Sequence, residues 1–330
     1  MDPAGFRRDV VATAASLRSL ADLHAADALT EPSTIAALRG REIVLTGMGS
    51  SWFAADTCAR RMRRAGLPVW AELASVEATL PPSASRAVVG ITASGRSEET
   101  LSLLARHRGT SATLAVSNSD DADTLAALPA DAVVPLHAGA EEGGVACRSF
   151  VHTIAVLLAW EHALTGGLPR LAQQLREAAD AIDHLVTSAA EWLPAVGEVL
   201  DGPHGTWLLA PAERLSSALQ GALMLREGPR RAADGCETGD WNHVDVYLTK
   251  TLDYRALVFA GSRFDTAAET WMSERGSRFV VVGSGHDDTV LAAAEQVVRH
   301  PHDHDPVVRL LAETTVADLV AADWWDHAAR

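Results

Sequence analysis

The chain has 330 residues, of which 48% are hydrophobic, and its formal net charge is −15 at pH 7. This negative charge argues against nucleic acid and anionic membranes as partners. No apolar run reaches the roughly 20 residues that a membrane span needs, and the N-terminus lacks a basic region followed by an apolar core, so we expect a cytoplasmic protein. Its length allows one large or two medium domains.

Short apolar runs alternate with amphipathic patterns along the whole chain. In the first half they predict helices over 6–28, 52–65, 101–107, 145–164 and 171–185, and strands over 42–45, 69–73, 87–91, 112–116 and 132–136. In the second half they predict strands over 206–209, 255–260 and 278–282, and helices over 216–226, 266–274, 287–298 and 306–325. This alternation is typical of parallel sheets covered by helices on both faces, so we predict an α/β fold.

The two halves have similar orders of elements, which predicts two subdomains. We expect an N-terminal helix over 1–34, a first subdomain over 35–200 and a second subdomain over 201–330, with the boundary near Gly202 and Pro203. Residue-level identity between the halves is weak, so the predicted duplication concerns the order of elements.

The most informative segment is a hydroxyl-rich turn over 92–100, Thr-Ala-Ser-Gly-Arg-Ser-Glu-Glu-Thr, between a predicted strand and a predicted helix. Backbone N–H groups and the helix dipole attract anions at such a position, and Ser and Thr add donors. The turn has no lysine and matches no P-loop, which favours a small phosphate ester over a nucleotide.

A second glycine-rich turn, over 47–51, also follows a predicted strand. By itself it is equally well explained as a connection with serine as the N-cap of the next helix. Together with the turn over 92–100 it predicts a phosphate pocket, because neighbouring strand ends would bring both sets of hydroxyls together.

Three further groups of residues have both an ordinary and a functional explanation. Glu141 and Glu142 precede a long helix and could complement its positive end. Glu227 and His243 offer a carboxylate and an imidazole, the usual groups for moving protons in sugar isomerisation, although a helix-end Glu is more often solvated and a lone His more often structural. The histidines of segment 300–305 could ligate zinc, but proline and high polarity favour a loop, so we predict no metal and no cofactor.

Four segments together resemble the sugar isomerase (SIS) domain family, and most of all the isomerase half of glucosamine-6-phosphate synthase and its stand-alone relatives. The resemblance covers about residues 35–320. Its segments are Gly49-Ser50-Ser51, Thr92-Ala93-Ser94-Gly95-Arg96-Ser97, residues 138–150 and, most specifically, Ala-Leu-Gln-Gly-Ala-Leu-Met-Leu-Arg-Glu over 218–227. It implies two tandem SIS subdomains, each a parallel sheet flanked by helices in a flavodoxin-like three-layer arrangement.

The resemblance also implies roles for individual residues. The implied phosphate-binding residues are Ser50, Ser51, Thr92, Ser94, Gly95 and Ser97. Further substrate contacts would come from Gly49, Val145, Ala146, Cys147 and Arg148. Glu227 and His243, 16 residues apart as in the family, would be the acid–base pair, with His243 supplied across the interface of a homodimer.

The chain also departs from the family pattern. It shows no glutaminase domain with a catalytic first cysteine, and Lys250, its only lysine, does not align with the lysine that forms a Schiff base in the synthase. The family's Glu-Leu-Lys-His-Gly-Pro becomes Asp-Trp-Asn-His-Val-Asp over 240–245, and Met224 replaces a helix lysine. Arginine cannot form a Schiff base, so glutamine-dependent amidotransfer and amine-covalent chemistry are not expected. The three cysteines are far apart and indicate no disulfide framework.

Three functions fit these residues. The first is an isomerase or deaminase acting on a hexose or aminohexose 6-phosphate through Glu227 and His243. The second is a fructosamine-6-phosphate deglycase with the same pair. The third is a non-catalytic sugar-phosphate sensor, which the altered segment 240–242 and Met224 would favour. We predict an enzyme, with the isomerase or deaminase ahead of the deglycase.

Overall fold

A computed structural model describes residues 1–285 and 292–328 of the chain, which form two compact units. The N-terminal unit consists of Ala15–Glu141 and Ala146–Arg176. The C-terminal unit consists of Met1–Ala14, Glu142–Val145 and Glu177–Arg330. The sequence placed residues up to 200 in the first subdomain, whereas residues 177–200 belong to the C-terminal unit, and the first helix contributes to both units.

The N-terminal unit is built on one parallel sheet. Its strands are β1 (Glu42–Gly47), β2 (Val69–Leu73), β3 (Arg86–Ile91), β4 (Ala112–Ser117) and β5 (Ala132–Pro135). The helices of this part of the chain are α1 (Pro3–Ala25), α2 (Pro32–Leu38), α3 (Ser50–Arg64), α4 (Glu98–His107), α5 (Ala122–Ala126) and α6 (Arg148–Thr165). The sheet order is β2-β1-β3-β4-β5, and every residue of the central β3 is buried, as expected for a strand covered on both faces.

The C-terminal unit is built on a second parallel sheet. Its strands are β6 (Thr206–Ala210), β7 (Ala233–Glu237), β8 (Arg255–Phe259), β9 (Arg278–Val282) and β10 (Gln296–Val298). Helix α7 (Leu171–Thr187) leads into this unit. The helices that follow are α8 (Ala189–Leu200), α9 (Leu215–Glu227), α10 (Thr238–Trp241), α11 (Asp265–Glu274), α12 (Pro306–Ala312) and α13 (Thr314–Ala328). The sheet order is β7-β6-β8-β9-β10.

The two sheets have the same topology. When the strands of each unit are counted along the chain, both orders are 2-1-3-4-5, the flavodoxin-like order. The predicted fold of two similar α/β subdomains with parallel sheets is therefore confirmed. In such sheets ligands bind beyond the carboxyl ends of the strands, where the strand order reverses. This switch point lies between β1 and β3 in the N-terminal unit, and between β6 and β8 in the C-terminal unit.

Some predicted elements differ from the structure. The helix predicted over 287–298 is wrong at its end, because Gln296–Val298 pair in parallel with β9; residues 286–291 lie outside the described part of the chain. The single helix predicted over 306–325 is two helices, α12 and α13. Strand β7 was missed, since Ala-Asp-Gly-Cys-Glu has little hydrophobic character, and it forms the edge of its sheet.

Candidate functional site

The turn after β3 is held together by its own hydroxyls. Thr92 is buried, and its Oγ1 accepts a hydrogen bond from the Ser97 backbone N–H at 3.5 Å. Gly95 has φ +70°, a conformation that glycine adopts without a steric cost. Ser94 is exposed, and its Oγ accepts a hydrogen bond from the Arg96 backbone N–H at 3.2 Å. The turn is therefore ordered before any ligand binds.

Ser97 begins α4 as its N-cap. Its Oγ accepts a hydrogen bond from the Thr100 backbone N–H at 3.4 Å and donates to the Glu99 carboxylate at 3.0 Å. Arg96 turns away from this site, because its guanidinium lies 3.6 Å from the Asp121 carboxylate. The arginine therefore ties the turn to its own unit through an exposed ion pair, which contributes little stability by itself.

The turn after β1 presents two serine hydroxyls that no described residue of the chain contacts by a hydrogen bond. Gly49 has φ +51° and is the N-cap of α3. Ser50 and Ser51 are half-buried, and among the described residues neither hydroxyl has a hydrogen-bond partner. Both serines lie in the first turn of a 15-residue helix, where free N–H groups and the helix dipole favour an anion.

The two turns lie beside each other at the switch point of the N-terminal unit. Strands β1 and β3 are parallel neighbours, with Thr46 opposite Gly90 at their carboxyl ends. A Cβ on Gly47 would lie 2.7 Å from the Ser51 Cβ and 2.9 Å from the Ile91 carbonyl oxygen. The close approach requires glycine at this position, and it places both sets of hydroxyls where an open α/β sheet binds ligands.

The segment before α6 is closed by a carboxylate of the chain itself. The Glu141 carboxylate accepts hydrogen bonds from the backbone N–H groups of Cys147 at 2.8 Å and Ser149 at 3.1 Å, and from the Ser149 hydroxyl at 2.7 Å. Glu141 thus complements the positive end of α6, as the sequence indicated. Cys147 is buried, and the Arg148 guanidinium donates to the Ala140 carbonyl oxygen.

Glu227 is the last residue of α9. It is half-buried, burial raises its pKa, and within the described residues its carboxylate has no hydrogen-bond or ion-pair partner. The chain beside it is tightly packed, since a Cβ on Gly228 would lie 2.8 Å from the Trp325 ring. A carboxyl group with a raised pKa accepts and returns a proton more readily than one that an ion pair holds ionised.

His243 lies in the turn that follows α10 and is exposed. The residue two positions earlier, Trp241, is fully buried and donates its Nε1 hydrogen bond to the Tyr254 hydroxyl at 2.6 Å. Tyr254 stacks on Trp207 with ring centroids 4.3 Å apart. The tryptophan that departs from the family pattern is therefore the anchor that fixes the histidine's segment. Glu227 and His243 share the C-terminal unit, but no hydrogen bond joins them.

Sequence reasoning missed a groove beside His243. It encloses about 480 Å³ between α10 and α11, and among the residues that line it are Glu237, Asp240, Phe264 and Trp271. Phe264 and Trp271 are 39% and 40% exposed, an unusual exposure for large aromatic side chains. Glu227 does not line this groove. The signal that the sequence offered was a pair of aromatic residues, Phe264 just before α11 and Trp271 within it.

The switch point of the C-terminal unit is filled by side chains of the chain itself. The Asp265 Oδ2 accepts hydrogen bonds from the backbone N–H groups of Gly261 at 2.5 Å and Ser262 at 3.0 Å. Arg214 forms a buried ion pair with Glu313, which Arg309 also contacts at 2.9 Å. A carboxylate thus occupies the anion position after β8, so the two sheets share a topology but differ in what their switch points can bind.

Neither a metal site nor a membrane span is found in the described ranges. No group of three or more His, Cys, Asp and Glu side chains within residues 1–285 and 292–328 is arranged to hold a metal ion. No helix of the same ranges is both long and apolar enough to cross a membrane.

Comparison with known proteins agrees with this topology. No family model matches the sequence, and no curated protein matches it. Solved structures do match. Tagatose-6-phosphate ketose/aldose isomerase from Escherichia coli has a TM-score of 0.80 at 18% identity, over 99% of this chain and 95% of that one. The C-terminal domain of glucosamine-fructose-6-phosphate aminotransferase from Francisella tularensis has a TM-score of 0.76 at 17% identity, over 96% and 95% of the two chains.

A third match is glucosamine-6-phosphate deaminase from Thermotoga maritima, with a TM-score of 0.66 at 13% identity, over 98% of this chain and 94% of that one. At sequence identities this low, the structural similarity shows that the proteins share a fold. The resemblance to the SIS family is therefore confirmed as a likeness of fold that extends over nearly the whole chain.

Proposed function

We propose that the chain binds a hexose or aminohexose 6-phosphate and catalyses its isomerisation or deamination by acid–base chemistry. The observation that carries this proposal is the switch point of the N-terminal unit. There the hydroxyls of Ser50 and Ser51, which have no hydrogen-bond partner within the described part of the chain, lie beside the turn over 92–97. Solved proteins with this fold include a ketose/aldose isomerase and a deaminase of sugar phosphates, which supports the same substrate class here.

The phosphate would be held by donors rather than by a lysine. In the proposal, Ser50, Ser51, Thr92, Ser94, Gly95 and Ser97 bind its oxygens, aided by the N-terminus of α3. The remaining substrate contacts come from Gly49, Val145, Ala146, Cys147 and Arg148. Hydrogen bonds to a charged phosphate are each worth about 1.5–3 kcal/mol, which offsets the acidity of the chain as a whole.

Glu227 would move the proton between sugar carbons. In isomerisation it takes the proton from C2 and returns it to C1, while His243 opens the ring and passes a proton between the oxygens. In deamination the same transfer gives an imine at C2, which water hydrolyses to a ketone and ammonia. General acid–base catalysis of this kind contributes roughly 10²–10⁴-fold and needs no lysine. We propose that His243 acts across a homodimer interface, and that the protein is cytoplasmic.

A thermal-shift screen against sugar phosphates tests the binding step. A ligand at 100 times its Kd stabilises the protein by about 2.7 kcal/mol, which is a shift of several degrees for a chain of this size. Inorganic phosphate and the unphosphorylated sugars are the controls. If no hexose 6-phosphate shifts the melting temperature more than its free sugar does, the proposed phosphate site is wrong.

Fructosamine-6-phosphate deglycation is the second candidate, and the groove beside His243 favours it. Two carboxylates line that groove, and neither Glu237 nor Asp240 has an ion-pair partner among the described residues. Such a groove suits the amine that a deglycase releases. Release of amine from a fructose-amine 6-phosphate, measured beside ammonia release from glucosamine 6-phosphate, separates the two. Binding without either turnover would identify a sensor.

A further inference from the structure

The groove between α10 and α11 has a polar wall and an aromatic wall. Six of the side chains that line it bear on its chemistry: Glu237, Asp240, Asn242, His243, Phe264 and Trp271. Its volume of about 480 Å³ is enough for a small organic molecule. All of these residues belong to the C-terminal unit.

The polar wall includes a hydrogen-bond acceptor that has no donor among the described residues. The Asn242 Nδ2 donates to the Thr238 carbonyl oxygen at 3.0 Å, which fixes the orientation of the amide. The Asn242 Oδ1 is buried and has no partner in the described chain. A buried acceptor without a donor costs free energy, so the site favours a ligand that donates.

The two carboxylates add to this excess of acceptors. Glu237 accepts a hydrogen bond from the Asp240 backbone N–H at 2.8 Å, and within the described residues neither carboxylate forms an ion pair. Further acidic residues lie close by. Burial raises the pKa of Asp245, and the negative charges of Asp234 and Asp240 raise it further. At the polar wall the carboxylates therefore favour a cation over an anion.

The aromatic wall is already suited to cations. The Arg263 guanidinium lies 4.6 Å from the centroid of the Phe264 ring, and the Arg275 guanidinium lies 4.3 Å from that of Trp271. Arg275 is also fixed by a 2.8 Å hydrogen bond to the Val246 carbonyl oxygen. The ring of Phe264 holds the Arg263 guanidinium, and the ring of Trp271 and the Val246 carbonyl oxygen hold that of Arg275. In the described residues neither guanidinium pairs with the carboxylates of the opposite wall, which are therefore available to a ligand.

Glycine keeps the groove open. A Cβ on Gly239 would lie 2.8 Å from the Phe264 ring and 2.9 Å from the Glu237 Oε2. A side chain at this position would fill the space where the aromatic and acidic walls meet.

We infer that this groove binds an organic ammonium group, whose N–H donors are accepted by Glu237, Asp240 and the Asn242 Oδ1, and whose hydrocarbon part packs against Phe264 and Trp271. The inference deepens the deglycase form of the proposed function. It rests on that function only where it assigns the ammonium group to the amine part of the substrate. Binding of the amine by itself requires no turnover.

Calorimetric titration with benzylammonium tests the inference, with benzyl alcohol as the neutral probe of the same shape. We expect the ammonium ion to bind and the alcohol to bind at least about fivefold more weakly, because the alcohol has no charge to pair with the carboxylates. Equal affinities for the two probes, or no binding of either, would overturn the inference.

Charge-neutral variants locate the binding site. Glu237→Gln and Asp240→Asn preserve shape and the backbone hydrogen bond, and each should weaken benzylammonium at least about fivefold. Gly239→Ala should abolish binding. The matched control is Glu191→Gln on α8, which removes the same charge from an exposed position outside the groove and should leave the affinity unchanged. Unchanged affinity in both groove variants would place the amine elsewhere and overturn the inference.

Failure of the groove and failure of the proposed function give different results. If benzylammonium binds with the expected dependence on Asp240 while no sugar phosphate is bound or converted, the proposed function is wrong. The inference that the groove binds an ammonium group is then supported. If sugar phosphates are converted with full dependence on Glu227 while benzylammonium does not bind, the inference about the groove is wrong. The proposed function is then supported.

Discussion

Gly47 and the Ile91 carbonyl oxygen approach so closely that a Cβ on the glycine would lie 2.9 Å from that oxygen. The contact joins the carboxyl ends of β1 and β3, the two strands between which the sheet order reverses. Because Ser51 lies 2.7 Å from the same Cβ position, one missing side chain sets the distance between the two hydroxyl-rich turns. The geometry of the candidate phosphate site therefore depends on a residue that offers no functional group.

Gly47→Ala should damage both stability and phosphate binding. The added methyl group would have to displace backbone at Ile91, which typically costs about 1–3 kcal/mol, and the two turns would move apart. Chemical denaturation and the thermal-shift response to a hexose 6-phosphate measure the two effects. The control is Gly197→Ala on α8, where the nearest atom would be the Trp324 Nε1 at 3.5 Å and the helix should keep or gain stability. Equal behaviour of the two variants would contradict the role of Gly47.

Serines of the two turns should respond differently to substitution. Ser50→Ala removes a hydroxyl that has no partner in the described chain, so stability should change by less than about 0.5 kcal/mol while affinity for a sugar phosphate falls roughly tenfold. Ser97→Ala removes the N-cap of α4 and should cost about 1 kcal/mol of stability even without ligand. Chemical denaturation and titration with a sugar phosphate measure both effects in each variant. If Ser50→Ala loses stability while its affinity for the sugar phosphate is unchanged, the Ser50 hydroxyl has a structural role.

The fold was predictable because its signals are local. Buried strands such as β3 and β4 are continuous apolar runs, and helices such as α4 and α9 have clear periodicity, so their positions follow from residue types alone. The edge strand β7 was not predicted, because it is neither fully buried nor apolar. The same reasoning explains why both turns over 47–51 and 92–97 were placed correctly, since each lies between a strand and a helix.

The site was less predictable because its key features depend on contacts distant in sequence. Nothing in the sequence around Ser262 shows that Asp265 closes the anion position after β8, whereas the similar turn after β3 stays open. The groove at His243 likewise joins Glu237 to Trp271, which are separated by 34 residues and by strand β8. The roles of Glu227, His243 and the residues of the two turns could be proposed from the sequence only through family resemblance, and they stay predictions.

A buried histidine should make the stability of the N-terminal unit depend on pH. His152 donates from Nδ1 to the Leu136 carbonyl oxygen at 2.7 Å and accepts at Nε2 from the Ser16 hydroxyl at 2.9 Å, and burial lowers its pKa to about 4. Between this value and an unfolded pKa of about 6.5, the unfolded chain binds more protons, so stability falls as the pH falls from 6.5 to 4, by at most roughly 3 kcal/mol from this group.

Denaturation of the His152→Gln variant between pH 4 and 7 measures that contribution. The variant should be less stable than the parent at pH 7 and should show a flatter dependence on pH, because the titrating group is gone. His184→Gln, an exposed histidine of α7, is the control and should keep the slope of the parent. A slope unchanged by His152→Gln would mean that other groups carry the pH dependence.

The burial of Glu227 should appear in the pH dependence of activity. Burial raises the pKa of this carboxyl group, and if its ionised form is the base, activity is lost as the pH falls through that raised pKa. The acid limb of the kcat/KM profile should therefore lie above the pKa of about 4.3 of an exposed glutamate. Trp325 packs against Gly228 next to it, so Trp325→Ala should admit water, lower the pKa and move the acid limb to lower pH.

The controls for this prediction separate a role in setting the pKa from a role in folding. Trp324→Phe alters the neighbouring ring, which faces Arg231 and Gly197 instead, and should leave the acid limb in place. Glu227→Gln should remove activity by a factor of at least about 10² and keep sugar-phosphate binding, because the phosphate donors belong to the N-terminal unit. If Trp325→Ala lowers kcat at every pH without shifting the profile, the ring supports the fold and does not tune Glu227.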